Sequence, residues 1–394
     1  MNLIPELIKS APTYGALRRH IHAHPELGFE EVETAALVAE KLEAMGIEVH
    51  KGLGTTGVVG TIRYGNGTRS IGLRADMDAL PIQELTGVAH TSTHDGVFHG
   101  CGHDGHTAML LAAAEYLVSA EGFDGASSFD GVVHLIFQPA EEGLGGAKAM
   151  MDEGLFTQFP CDVVFGMHNW PGLDVGKFAV RAGPFMAAQD IFDVVIQGTG
   201  GHAAYPQLAA NPIPVAADIA TAFHEMGKTA RERSAVIAVT ELEAGDAYNV
   251  IPDTATLRGG VRNFDTRHQD DIEAEMIEAA VEIAKSAGMT ADISYRRNYP
   301  VLVNAEAETD VAISVASAIV GADNVDGHAK LVSGSEDFAY MLQEKQGCYI
   351  LIGGGGEKGT PFCHNPHYDF NDDIIALGAS YWVELTKHYL ATPD

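Results

Sequence analysis

The chain has 394 residues, 46% of them hydrophobic and 20% charged, which suffices for one large core or two domains, since single cores stop growing beyond roughly 250–300 residues. A formal net charge of −30, from 54 acidic and 24 basic residues, repels phosphate backbones and argues against nucleic acid as a partner; the excess is spread along the chain and reads as a solvated acidic surface. No apolar run is long enough to cross a bilayer. No membrane partner is therefore expected. The first 24 residues lack an apolar signal core and carry Arg18, Arg19, His20, His22 and His24, so a cytoplasmic location is expected. Cys101, Cys161, Cys348 and Cys363 show no disulfide spacing and read as reduced thiols.

In chain order, residues 15–46 read as a helical region broken by the loop His24-Pro25-Glu26-Leu27-Gly28. Ser70–Asp76 is a short apolar strand running into Met77-Asp78. Thr107–Val118 reads as an apolar helix that starts directly after a glycine-rich octet. Gly131–Phe137 is a buried strand ending in Gln138-Pro139-Ala140-Glu141-Glu142. Val163–Met167 is another, ending in His168-Asn169. Strands alternating with helices, with polar clusters at strand ends, predict an α/β sheet whose site lies along one edge.

The middle of the chain changes character. Asp190–Gln197 alternates like a strand, Pro212–Met226 reads as a helix, and Ala235–Leu242 and Ala255–Val261 read as strands. Gln269–Ala287 is an acidic amphipathic helix, and Thr290–Tyr295 closes with a strand. The order β-α-β-β-α-β is that of a ferredoxin-like unit. A discontinuous domain, residues 1–183 and 298–394, is therefore expected to wrap an inserted domain, 184–297.

The octet His99-Gly100-Cys101-Gly102-His103-Asp104-Gly105-His106 places a thiol, three imidazoles and a carboxylate in eight residues. These are metal-ligand types, and Cys101 and His103 can aim at one point; the bland alternative is a polar turn with incidental histidines. Glu141 and Glu142 follow a strand. On extended backbone adjacent side chains diverge, so one would bind metal and the other take a proton from water, unless the pair is merely solvated. His168 at a strand end is either a ligand or a satisfied core histidine. In Cys363-His364-Asn365-Pro366-His367, three residues compete as ligands. His202, within Gly198-Thr199-Gly200-Gly201-His202-Ala203, is either an oxyanion donor or a surface imidazole. Asn249 and Arg262 offer an amide and a guanidinium for a substrate carboxylate, or for a surface ion pair. Gly353–Gly356 lack the lysine of a P-loop and read as glycine-rich turning.

Taken together, His22-Ala23-His24-Pro25-Glu26-Leu27, Arg74-Ala75-Asp76-Met77-Asp78-Ala79-Leu80-Pro81, the octet, Phe137 to Gly143, Gly198 to Ala203, Asn249 to Asp253, Gly334-Ser335-Glu336-Asp337-Phe338 and His364-Asn365-Pro366 resemble the amidohydrolase branch of the aminoacylase and glutamate-carboxypeptidase family of dinuclear metallohydrolases. Hippurate hydrolases, N-acyl-amino-acid hydrolases and auxin-conjugate hydrolases belong to that branch. The resemblance implies a mixed-sheet catalytic domain of the zinc-exopeptidase type with an inserted lid that also dimerises. It implies Cys101, His103, Glu142, His168 and His364 as ligands of two divalent metals, zinc or manganese, with cobalt or nickel as further options. Glu141 matches the general base and later acid. His202 matches a residue that reaches into a neighbouring subunit's site, Asn249 and Arg262 match carboxylate-binding positions, and Asp76 supports the ligands.

The expected activity is hydrolysis of an N-acyl-L-amino acid by a homodimer or a dimer of dimers. A dipeptidase or carboxypeptidase of the same family is the nearest rival. A cysteine hydrolase using Cys101 and a non-catalytic binding protein are more distant ones. Two departures from the branch fall in the lid: Gln207 follows Pro206 where a histidine is common, and the stretch from Gly227 to Ser234 lacks the usual dipeptides.

Overall fold

The computed structural model describes residues 1–119, 129–231, 234–356 and 360–391, so part of the second departure, residues 232–233, lies outside the described residues. The chain divides into two compact units. One comprises Met1–Gly183, Val303–Lys330 and Asp337–Asp394; the other comprises Pro184–Leu302 and Leu331–Glu336.

The larger unit is built on an eight-stranded mixed sheet. Its first five strands in chain order are β1 (Glu48–Leu53), β2 (Gly57–Tyr64), β3 (Ser70–Asp76), β4 (Gly131–Gln138) and β5 (Val163–Pro171). The spatial order is β1-β2-β4-β3-β5, followed by the strands Gln346–Gly355, Phe178–Ala179 and Val325–Asp326. β3 runs parallel to both β4 and β5, and Gln346–Gly355 runs parallel to β5, while β1 and β2 are antiparallel additions at one edge. β3 is buried at every position, as expected of a strand in a parallel region covered on both faces. The helices α1 (Pro5–Ala23), α2 (Val32–Ala44) and α3 (His103–Val118) overlap the predicted helical stretches, but α1 starts at Pro5 and not at residue 15, and α3 starts inside the octet at His103 and not after it at Thr107. α3 is apolar nearly all round and almost wholly buried, which is the pattern of a helix inside a core. The parallel strands β3, β4 and β5 therefore all end at the same side of the sheet, each delivering a polar cluster there.

The smaller unit is an antiparallel four-stranded sheet in the order Val236–Glu243, Thr254–Asn263, Ala188–Gln197, Thr290–Tyr299. Its helices are Pro212–Ala230 and Thr266–Ser286. Apolar residues alternate along Ala188–Gln197, putting Phe192, Val194 and Ile196 into a core shared with Ile219, Phe223, Leu257 and Met276. Strand order and connectivity are ferredoxin-like.

Two local expectations are corrected. Gly353–Gly355 are the end of a strand, not a turn, and only Gly355 and Gly356 turn with positive φ. A Cβ at Gly353 would collide with the Asp174 carbonyl, so the glycine permits close backbone approach. Glu141 and Glu142 are not on extended backbone. β4 stops at Gln138 and residues 141–144 form a turn, entered through Ala140 at φ +52.

Candidate metal centre

The octet is held open for chemistry by its glycines. Gly102 precedes α3 at φ +92, and a Cβ there would strike the Asn169 and Tyr368 side chains; one at Gly105 would strike the Phe370 ring. The backbone can thus approach β5 and the C-terminal loop closely.

The chain ends of three strands, the octet and that loop converge. Three overlapping groups have ligand atoms mutually within 4.8 Å: Cys101 with His103 and His168, Cys101 with Glu142 and His364, and His103 with Glu141 and Glu142. The Cys101 Sγ lies 3.3 Å from His168 Nε2. The His364 Nε2 lies 3.2 Å from Glu142 Oε1, and His103 Nε2 lies 3.9 Å from the same oxygen. All six residues predicted to act at the metals are therefore brought together, Glu141 included.

Hydrogen bonds fix which nitrogen of each ring faces the cluster. His168 Nδ1 sits 2.6 Å from the Asn169 carbonyl and must donate to it, leaving the Nε2 lone pair toward Cys101. His103 Nδ1 pairs with Asp78 Oδ1 at 3.1 Å, so its Nε2 faces inward. His106 is different. Its Nε2 accepts the Asn169 backbone N–H at 3.0 Å and its Nδ1 meets Asp76 Oδ1 at 2.6 Å, so neither nitrogen is free for a metal. Asp104 is engaged as well, with Arg18 at 2.9 Å and His22 at 2.9 Å. His99 is buried and, among the described residues, neither of its nitrogens has a hydrogen-bond partner; burial holds its pKa down at about 4.

The fit to metals rests on donors with nowhere else to go. Among the described residues, His103 Nε2 is buried without a hydrogen-bond partner, and buried Glu142 Oε1 has the ring nitrogen of His364, itself a candidate ligand, at 3.2 Å, an arrangement that is costly unless a cation fills it. Thiolate, imidazole and carboxylate together suit a first-row divalent ion. A further triad, His22, His90 and Asp369, does not fit, because the Arg18 guanidinium stands 2.9 Å from His90 Nε2 and pairs with Asp369. The charges at the centre are strongly coupled. Burial alone would lower the His103 pKa, but Asp76, Asp78 and Glu142 outweigh it and raise it well above the usual range. The Cys363 thiol, then burial, push the Cys101 pKa well up. Burial drives His168 well down. Cys101 and His103, held protonated, would bind metal with release of protons, whereas His168 is held in the neutral form that ligates directly.

Three supporting residues were not predicted. Asp78 joins His103 to Glu142, whose backbone N–H it accepts at 2.9 Å. Glu31, fully buried, accepts the Ala140 backbone N–H at 2.7 Å and so holds the strained residue that enters the Glu141-Glu142 turn. Arg74 donates to Asp76 at 2.6 Å, to Asp337 at 3.1 Å and to Gln138 at 2.8 Å. Asp76, predicted to support the ligands, meets His106 Nδ1 and lies 3.8 Å from His103 Nε2. The sequence motif containing Asp76 also contains Asp78, two residues on, which is the only sequence hint to its role.

The remaining predicted residues lie in the smaller unit. His202 is exposed on a two-residue strand paired with Val250–Ile251, and the Asn249 carbonyl accepts the Ala203 N–H at 3.0 Å. His202 Nδ1 accepts the Ala204 N–H at 3.1 Å, which leaves Nε2–H as its donor. Arg262 is half-buried on Thr254–Asn263 and donates to the Val261 carbonyl at 3.2 Å. Among the described residues it forms no ion pair, and burial lowers its pKa against the raising effect of Asp190.

Residues 72–388 match the model of the peptidase family M20/M25/M40. The chain belongs to this family. It is 40% identical over 392 residues to the hippurate hydrolase of Campylobacter jejuni, covering 99% of this chain and all of that protein. It is 38% identical over 373 residues to thermostable carboxypeptidase 2 of Saccharolobus solfataricus, covering 92% of each. The solved structure of the Bacillus subtilis YXEP protein, described as a dinuclear metal binding peptidase from the M20 family, superposes with a TM-score of 0.83 at 32% identity, covering 98% of this chain and all of that one.

Proposed function

We propose that this M20-family chain is a dinuclear metal-dependent amidohydrolase that cleaves N-acyl-L-amino acids, hippurate-like or N-acetyl, into a carboxylic acid and an amino acid. The observation that carries the reading is Glu141 grouped with His103 and Glu142: a second carboxylate beside a ligand set is needed for proton transfer and not for binding alone. The near end-to-end likeness to a hippurate hydrolase and to a dinuclear metal binding peptidase supports it.

Cys101, His103, Glu142, His168 and His364 would hold two divalent ions. When bound, such ions polarise an amide carbonyl and lower the pKa of water from about 15.7 towards 7. Glu141 takes the proton of the attacking water and returns it to the leaving nitrogen. His202, with Nε2–H as its donor, hydrogen-bonds the carbonyl oxygen as charge develops on it, a contact worth about 3–4 kcal/mol for one good donor. Asn249 and Arg262 hold the substrate carboxylate, for which an unpaired guanidinium is suited. We assign residues 184–297 the role of lid and dimerisation domain, and take the enzyme to work as a homodimer or dimer of dimers in the cytoplasm. The single thiolate favours zinc, while the imidazoles and carboxylate also suit manganese.

A carboxypeptidase is the second reading, favoured by the 38% identity to thermostable carboxypeptidase 2. A panel of hippurate, N-acetyl-amino acids and dipeptides, each assayed with Zn, Mn, Co and Ni, separates the two. Faster turnover of the N-acyl series is expected. Preference for dipeptides would transfer the chain to the second reading, and turnover of neither would sink both.

A further inference from the structure

We propose that Trp170 and Phe362 form an aromatic wall beside the metal centre that receives the acyl group and selects flat aromatic acyl groups over acetyl. This rests on the amidohydrolase reading above.

Trp170 and His168 are two residues apart on β5, so their side chains leave the same face of the strand. Their ring centroids are 6.4 Å apart at 74°. Phe362 stands two residues before His364 in the C-terminal loop. Its ring meets Trp170 edge-to-face, with centroids 4.9 Å apart at 80°. The loop that carries it is pinned. His364 holds φ +67, its N–H donates to the Gly100 carbonyl at 2.7 Å, and the Asn365 N–H donates to the Phe362 carbonyl at 3.1 Å. Each aromatic residue is thus fixed to the same segment as one of the ligand histidines.

Both rings keep exposed surface. Phe362 is 43% exposed and Trp170 is half-buried, whereas the other tryptophan, Trp382, is 1% exposed in the core. Rigid, partly exposed aromatic area next to a polar reaction centre is the composition of a ligand pocket wall. In a hippurate-like or N-acetyl-amino acid the amino-acid end carries a carboxylate, while the acyl end, benzoyl or acetyl, carries no formal charge. The acyl end is therefore the one suited to an uncharged aromatic wall. A planar acyl group such as benzoyl can continue the edge-to-face stack, and an acetyl group is too small to reach both rings.

The test is calorimetric titration of metal-loaded Glu141→Gln enzyme with N-benzoylglycine and N-acetylglycine. The parent should bind the benzoyl ligand at least about tenfold more tightly, a difference of about 1.4 kcal/mol. Trp170→Leu and Phe362→Ala, each added to it, should remove most of that ratio while moving the acetyl Kd less than about twofold. The Phe362 variant guards against a folding defect at Trp170, because its side chain is 43% exposed and lies outside the hydrophobic core. Equal Kd values in the parent, or equal losses for both ligands in both variants, overturn the wall. So does a loss that follows the amino-acid side chain, read with N-benzoylphenylalanine against N-benzoylglycine. Hydrolysis by the wild type is measured separately. Its absence would sink the amidohydrolase reading, whereas the Kd ratio decides the wall in either case.

Discussion

In the larger unit, His103 and His168 each commit one ring nitrogen to a buried partner, Asp78 or the Asn169 carbonyl, and turn the other toward the cluster. In the smaller unit, His202 is exposed on a two-residue strand, and its ring is oriented by one local bond from the Ala204 N–H. The contrast separates two kinds of preorganisation. The His103 and His168 rings are fixed by buried partners, His103 by a carboxylate 25 residues away and His168 by its neighbour's carbonyl, so changing such a partner should alter metal affinity. His202 is fixed only by neighbours, so changing it should alter turnover and leave the metals alone.

That contrast can be broken in several places. Glu141→Gln should lower kcat by about 10²–10⁴ with metal content unchanged by elemental analysis; near-normal turnover would remove it as the base. His202→Ala should lower kcat by about 10²–10³ at full metal occupancy, and a loss of metal instead would erase the distinction drawn here. Arg74→Met leaves Asp76 and Asp337 buried without their cation. A loss of about 3–5 kcal/mol in urea unfolding is expected, and an unchanged midpoint would show that the network contributes little. Asp78→Asn should weaken metal binding by about 10–100-fold in chelator competition, without the kcat signature of His202→Ala.

The smallest expected effect is a pH dependence away from the site. Burial, then Arg63, hold the His134 pKa down at about 4. The unfolded chain, near 6.5, takes up the proton first, so stability falls as pH drops from about 6.5 to about 4, by at most about 1.4 kcal/mol per pH unit. His134→Gln should flatten that slope; an identical slope would assign it to other groups.

The residues that cluster at the candidate centre were legible because their chemistry is local: a thiol and imidazoles among glycines, carboxylates after a strand, a histidine late in a strand. The βαββαβ order of the smaller unit was legible because its apolar periodicity is regular. What stayed hidden depends on tertiary approach. Asp78 matters through its bonds to His103 and the Glu142 N–H, and Glu31 through its bond to the Ala140 N–H, all to residues brought near by folding. In the sequence only the family resemblance separates His103 from His106, three residues on in one motif; the physical reason, Asn169 and Asp76 occupying both nitrogens of His106, depends on tertiary approach. The turn at Glu141-Glu142 was hidden because Ala140 gives no sign of left-handed backbone; only the Glu31 bond and the neighbouring glycines make it tenable.

Five residues would hold the two ions, and Cys101 is common to two of the ligand groups. This is tested most directly by counting metal per chain, by elemental analysis, in the wild type and in Cys101→Ala. The account predicts two divalent ions per chain in the wild type and fewer than one in the variant. Two ions retained after loss of the thiol would contradict it.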